Sequence, residues 1–201
     1  MQYVKLKAFY KKVLPALTEE GWELCASVLT VRKLRKGELL LAEGSVCRHI
    51  SFVNHGLLRM YYQVDGKEKI VMFCNELNYI SDYRSFLLQE PALTYIQALE
   101  DTELLCTGFE ALQMLYRMVP EANQLGRLIA EELFIDMCRR TGADVNDTID
   151  RRYEELLREK PWLAQRVPQY MIAAHLGITP EALSRIRARA TRKSKLPVAT
   201  Y

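Results

Sequence analysis

The tightest constraint in this sequence lies in the run Gln169-Tyr-Met-Ile-Ala-Ala-His-Leu-Gly-Ile-Thr-Pro-Glu-Ala-Leu-Ser-Arg-Ile-Arg187. Ile172 and Leu176 stand one helical turn apart, and Ala173 is small where a second helix has to cross closely. Gly177 follows, at a position where a left-handed backbone lets the chain turn without the cost of a Cβ. Ile178 plugs the corner, Thr179 is suited to an N-cap and Pro180 to the first helical position. On the helix that begins there, Leu183, Ile186 and Ala190 point inward. Glu181, Ser184, Arg185 and Arg192 form the opposite, polar stripe, flanked by Arg187 and Arg189.

Upstream the texture differs. Val4 to Leu14 is apolar at helical spacing, and Thr18 can cap a second helix with Glu19 and Glu20 in its first turn. From about Val28 to Phe109 come short runs: Glu38–Ala42, Ile50–Val53, Leu57–Tyr62, Lys69–Phe73, Thr94–Ala98 and Glu103–Thr107. Turn signals separate them at Lys36-Gly37, Glu43-Gly44, Asn54-His55-Gly56 and Asp65-Gly66, the last suited to a two-residue hairpin. Many short strands at this spacing predict an antiparallel β jelly roll.

After Phe109 the pattern becomes helical. Glu110–Met118 reads as a short helix, and Pro120 can start the long one that runs over 121–140. Its apolar set of Leu125, Leu128, Ile129, Leu133, Phe134, Ile135 and Met137 is wider than one supporting sheet requires, so a homodimer is expected through it. Thr141-Gly142 should break the helix, with a polar linker over Gly142–Thr148 and helix breaks near Lys160-Pro161 and Val167-Pro168. The expected class is α+β. Residues 1–119 form the jelly-roll unit with its N-terminal helices, 120–141 the dimerisation helix and 147–201 a C-terminal helix-turn-helix unit.

Charge is unevenly placed. Residues 1–149 hold 17 Lys and Arg against 20 Asp and Glu, whereas residues 150–201 hold 11 against 5. A basic end on a mildly acidic body fits a polyanion partner. A helix with a small, polar, Arg-bearing outer face fits the DNA major groove, and flanking arginines would meet phosphates. No run nears the roughly 20 apolar residues of a membrane span, and no leader pattern opens the chain, so a cytoplasmic place and no membrane contact are expected. Five cysteines at 25, 47, 74, 106 and 138 are too scattered for a zinc ribbon or a disulfide framework, and read as buried thiols. A metal enzyme on the same kind of sandwich would need several converging histidines. Only His49, His55 and His175 exist, so no metal, cofactor or catalytic role is expected.

With those residues in view, Val167–Arg187 resembles the DNA-binding signature of the Crp/Fnr regulators, and Glu181-x-x-Ser184-Arg185 resembles that family's E-x-x-S-R recognition motif. His55–Tyr62 and Ile96–Leu104 resemble its effector domain, a cyclic-nucleotide-binding-type jelly roll. The Thr-Pro-Glu and Leu-Ser-Arg-Ile-Arg version is similar to regulators common in Bacteroidetes. The resemblance implies DNA contacts from Gln169, Thr179, Glu181, Ser184, Arg185, Arg187, Arg189 and Arg192. Within that set Glu181 would accept from a cytosine amino group, Arg185 would donate to a guanine, and Ser184 would assist. It also implies double-stranded DNA with a near-palindromic operator, RNA polymerase and an unidentified small-molecule effector as partners. The usual wing is expected to be reduced or missing, because Leu196-Pro197-Val198 is the sole strand-like piece after Ala188.

Cyclic-nucleotide-binding members carry Gly-Glu and then Arg-Ser or Arg-Thr around the pocket loop. Here Ser81-Asp82 and Ala92-Leu93 stand at those places, leaving the cyclic phosphate without its arginine unless Arg84 reaches across. The pocket candidates are therefore Ser81, Asp82, Arg84 and Thr94, with no cyclic AMP binding expected. An iron–sulfur or haem sensor within the family is disfavoured by the lack of grouped N-terminal cysteines. The alternative to a DNA-binding regulator is a regulatory module that binds a cyclic nucleotide or another small molecule and acts on a protein partner.

Overall fold

A computed structural model describes residues 3–141 and 148–194. Two helices come first, α1 (Val4–Val13) and α2 (Glu19–Ser27), and the Thr18 hydroxyl accepts the Gly21 N–H at the start of α2. Eight strands follow: β1 (Thr30–Leu34), β2 (Leu39–Leu41), β3 (His49–His55), β4 (Leu58–Val64), β5 (Lys67–Cys74), β6 (Tyr79–Ile80), β7 (Tyr95–Ala98) and β8 (Thr102–Gly108). A short helix, α3 (Tyr83–Leu88), lies between β6 and β7. The remaining helices are α4 (Phe109–Met118), α5 (Pro120–Thr141), α6 (Ile149–Glu159), α7 (Leu163–Arg166), α8 (Gln169–Leu176) and α9 (Pro180–Ser194).

The strands form two four-stranded antiparallel sheets, ordered β1-β8-β3-β6 and β2-β7-β4-β5, which face each other as a jelly roll. Between β4 and β5, Asp65 and Gly66 both take positive φ (50° and 73°), the pair of left-handed residues a two-residue hairpin needs. Gly56, at φ 104°, begins the turn from β3 into β4. A Cβ there would fall 2.8 Å from the Asp101 carbonyl oxygen, so only glycine lets the two loops touch.

Three apolar clusters order the molecule. The roll interior holds Leu58, Ile80, Phe86, Ile96 and Leu104, all almost fully buried. Outside the first sheet, α1, α2, α4 and α5 pack over Phe52 and Leu105 through Leu6, Trp22, Leu115 and Leu125. Gly126 of α5 lies beneath the Tyr116 hydroxyl of α4 so closely that no Cβ fits between them. The third cluster joins the outer side of the second sheet to the C-terminal helices.

The six strand-like runs all became strands, and Glu110–Met118 became α4 with one added residue. Sequence reading missed β1, β6 and α3. The first has no alternating apolar pattern and the other two span two and six residues, too short for periodicity to register. Along α5 the apolar set divides: Leu125 is buried and Ile129 half-buried, while Phe134, Ile135 and Met137 are exposed. Most of the linker expected over Gly142–Thr148, at 142–147, lies outside the described residues. So do the Leu196–Val198 strand and the side chains of Ala190 and Arg192.

Candidate nucleic-acid interface and roll interior

The α8–α9 pair is built by the residues that predicted it. Gly177 ends α8 at φ 72°, and its N–H donates to the Ala173 and Ala174 carbonyls. The Thr179 hydroxyl accepts the Ala182 N–H, which fixes the start of α9. Ile172, Ala173 and Leu176 of α8 are buried against Leu183 and Ile186 of α9, with Ile178 partly buried at the corner. That packing turns Glu181, Ser184, Arg185, Arg187 and Arg189 outward, and all five are exposed.

Within this face, a backbone N–H at its own position, the Thr179 hydroxyl and then the Arg185 charge hold the Glu181 carboxyl below its ordinary range. Arg189 is not bare. Its Nε and Nη2 donate to the two carboxylate oxygens of Asp150 on α6 at 2.9 and 2.8 Å. Gln169 opens α8, where its Oε1 is enclosed and has no hydrogen-bond partner among the described residues.

The pair is carried on a seam that sequence reading did not find. Leu57, Tyr61, Ile70 and Phe73 of the roll are buried together with Tyr153, Leu163, Val167, Met171 and Ile172 of the C-terminal helices. His175 Nδ1 lies 3.2 Å from the Ile70 carbonyl oxygen, and its ring stands edge-on to Phe73. At one end Arg166 is forked by two carboxylates. Nη1 and Nη2 reach Glu76 at 2.8 and 3.0 Å, and Nε and Nη2 reach Glu100 at 3.0 and 2.6 Å. Hydrogen bonds from Arg166 to Glu100 and Glu76 raise the guanidinium further above its already high range. Burial alone would push the Glu76 carboxyl up, but the Arg166 bonds and the Gly56 N–H outweigh it and hold Glu76 at about 2. Arg59 is nearly buried beneath this seam. It donates to Glu68 and Gln97 and stacks over Tyr61, which in turn stacks on Tyr95.

The pocket candidates lie around α3: Ser81 and Asp82 between β6 and α3, Arg84 on α3, and Thr94 just before β7. Asp82 caps α3 by accepting the Ser85 N–H at 3.0 Å, and its second oxygen accepts the Thr94 hydroxyl at 2.7 Å. Ser81 donates to the His49 carbonyl at 3.1 Å. Ser81, Asp82 and Thr94 are thus brought near one loop but bonded to the protein itself. Arg84 does not reach across: it is exposed and pairs with Glu90 at 2.8 Å. The space bounded by Met72, Ser81, Tyr83, Ile129 and Leu133 amounts to about 20 Å³, room for about one water and far below the roughly 300 Å³ of a ligand pocket. A larger cleft of about 360 Å³ lies between the β5–β6 loop, α5 and the α6–α7 joint.

His49 and His55 sit at opposite ends of β3, about 20 Å apart at strand rise, so they cannot share a metal. Among the described residues no three His, Cys, Asp or Glu side chains are grouped to hold one. Cys25, Cys47, Cys74 and Cys106 are buried; Cys138 is exposed, against expectation, on the outer part of α5. Burial pushes the Cys25 thiol up to about 11 and the Cys74 thiol up to about 12, so both are poor nucleophiles. No helix of the described residues is long and apolar enough to cross a membrane.

Against this geometry, residues 31–118 match the family model for the cyclic nucleotide-binding domain. The class of fold is therefore a cyclic-nucleotide-binding-type jelly roll followed by a helical C-terminal unit. Solved structures extend the likeness beyond the roll. FixK2 from Bradyrhizobium japonicum is 16% identical with a TM-score of 0.71, covering 87% of this chain and 90% of that one. A CooA mutant from Carboxydothermus hydrogenoformans is 18% identical with a TM-score of 0.70, over 94% and 88% of the two chains. A transcriptional regulator assigned to the Crp/Fnr family from Eubacterium rectale is 18% identical with a TM-score of 0.66, over 94% and 91%. The chain shares the fold of these proteins over nearly its full length. Among curated protein sequences there is no match.

The Arg166 fork generates a pH signature. A carboxyl held at about 2 instead of the ordinary 4.5 stabilises the seam fully above the ordinary value, and that contribution is lost as pH falls from there through about 2. Protection factors of the α7 and α8 amides, the observed exchange rates divided into the intrinsic rates at each pH, should therefore fall progressively from about pH 4.5 downward. In Glu76→Gln the loss of protection should already be present at pH 7 and this part of the pH dependence should vanish. Identical profiles for the two proteins would rule out a role for Glu76 in docking.

Proposed function

We propose that the protein is a homodimeric, sequence-specific DNA-binding transcription regulator of the Crp/Fnr type, in the version common in Bacteroidetes. Its α8–α9 pair serves as the helix-turn-helix. The observation that carries this reading is the outer face of α9. Glu181, Ser184 and Arg185 are all exposed on one side of a helix whose other side, Leu183 and Ile186, is buried. A face of that size and polarity enters a major groove, where Arg185 can donate to guanine O6 and N7 and Glu181 can accept from a cytosine amino group. Ser184 assists. Arg187 and Arg189, which flank that stripe, are assigned to the phosphates on either side, and Gln169, Thr179 and Arg192 to the DNA-contacting surface around it. RNA polymerase is the protein partner such a regulator engages, the cytoplasm is its place, and no catalysis is assigned to it.

The roll, in this reading, does not take cyclic AMP. Ala92 and Leu93 supply no cation, Arg84 is committed to Glu90, and the Asp82 oxygens are already bonded to Ser85 and Thr94. A small-molecule effector of other chemistry would enter elsewhere, because the interior by α5 is filled. Calorimetry with cyclic AMP should give no binding tighter than the millimolar range; a micromolar constant would sink this part of the reading.

Dimerisation is assigned to α5, where Phe134 is 61% and Ile135 50% exposed in the single chain. Sedimentation at micromolar concentration should show a dimer that Phe134→Glu dissociates. A wild-type monomer, with and without DNA, would refute the assignment.

The test of the function itself is selection of bound sites from random duplexes. Wild type should select a near-palindrome with half-site centres about 34 Å apart or a multiple of that. Arg185→Ala should cost about 1–3 kcal/mol and blur preference at one position per half-site. Failure to enrich any sequence would overturn the reading.

A further inference from the structure

Arg189 and Asp150 carry one step more. Arg189 follows Arg185 by four residues and so stands one turn along the same side of α9, angled towards α6. Its guanidinium lies edge-on to both oxygens of Asp150, at 2.9 and 2.8 Å. A fork of two parallel N–H donors on two anionic oxygens is also the way arginine holds a phosphate. The pair is not sealed in: the Arg189 side chain is 55% and the Asp150 side chain 36% exposed. An ion pair that open to water is weak, and another anion can displace it.

Resting on the DNA-binding reading, we propose that Asp150 is an internal stand-in for a DNA phosphate. It holds Arg189 in a phosphate-ready fork while the protein is free and competes with the backbone for it when DNA arrives. Asp150 thereby damps the sequence-independent part of binding and leaves base reading by Arg185 untouched. It differs from a simple acidic repellent, because its whole effect passes through one arginine. Asp150 itself lies two residues past the Thr148 cap, whose hydroxyl accepts the Arg151 N–H; Asp150→Asn therefore keeps the cap that starts α6 and gives up only a first-turn charge facing the helix dipole.

The experiment measures affinity for random-sequence duplex over a range of salt for wild type, Asp150→Asn, Arg189→Ala and the double variant, with thermal melts to confirm that all four fold. Asp150→Asn should bind about 3–10-fold tighter at low salt. Its plot of log affinity against log salt should steepen, by at most about one per subunit, as Arg189 passes from a phosphate contact shared with Asp150 to a full one. On the Arg189→Ala background the same substitution should change neither quantity. Sites selected by Asp150→Asn should keep the wild-type preference at the position Arg185 reads. A gain that persists undiminished without Arg189 would show general charge repulsion instead. No gain, or weaker binding by Asp150→Asn, would make Asp150 a support for the placement of α9; either result overturns the proposal. Tight, sequence-selective wild-type binding combined with any of these leaves the DNA-binding reading standing. Absence of binding by all four proteins would remove that reading and this proposal together.

Discussion

The helices from α6 onward are seated by one apolar contact, the burial of Leu57, Tyr61, Ile70 and Phe73 of the roll with residues of α6–α9. The second sheet is thereby covered on both faces, by the roll interior on one side and by the helices on the other. An antiparallel sheet usually leaves one face to water, and β5, with Ile70, Phe73 and Cys74 all buried, departs from simple alternation for this reason. Helices as short as α7 and α8, four and eight residues, could not persist alone. They borrow their order from the sheet. Arg166 adds direction to a contact that hydrophobicity alone would leave free to slide, because two carboxylates on separate loops define one place for it.

The roll interior shows the same economy in polar groups. Where the fold's relatives in sequence pattern place a ligand-binding loop, this chain bonds the loop to itself through Asp82, Ser85 and Thr94. The Cys47 N–H joins in by donating to the Ser85 hydroxyl, which donates on to the Glu90 carbonyl. Each buried polar atom in that chain is satisfied without a guest. Phe86 lies fully buried at its centre, edge-on to Phe109.

Much of this was legible locally. The caps at Thr18 and Thr179, the Asp65-Gly66 hairpin and the Gly177 turn are decided by the backbone needs of two to four neighbouring residues. The outward face of α9 was readable because helical period alone assigns inside and outside. What could not be read were pairings between distant residues. Arg166 meets partners 90 and 66 positions away, and Arg189 meets one 39 positions away. Nothing in the spacing of single charges announces such a match. The sequence equally left Arg84 open to reach the pocket, whereas the six-residue separation from Glu90 folded it back outward.

The contact between Gly126 and Tyr116 has a mechanical consequence. It gives α5 a fixed zero mark: Ala122 and Ala130, the residues one turn away on the same side, carry the methyl that the Tyr116 hydroxyl has no room for. A one-turn slip of the helix along α4 would therefore set a methyl against the Tyr116 hydroxyl and force that ring to move. From that mark to Thr141 it runs like a ruler for about 22 Å, at 1.5 Å per residue. The height of its far end is thus set by the Tyr116 contact together with the buried Ala122 and Leu125.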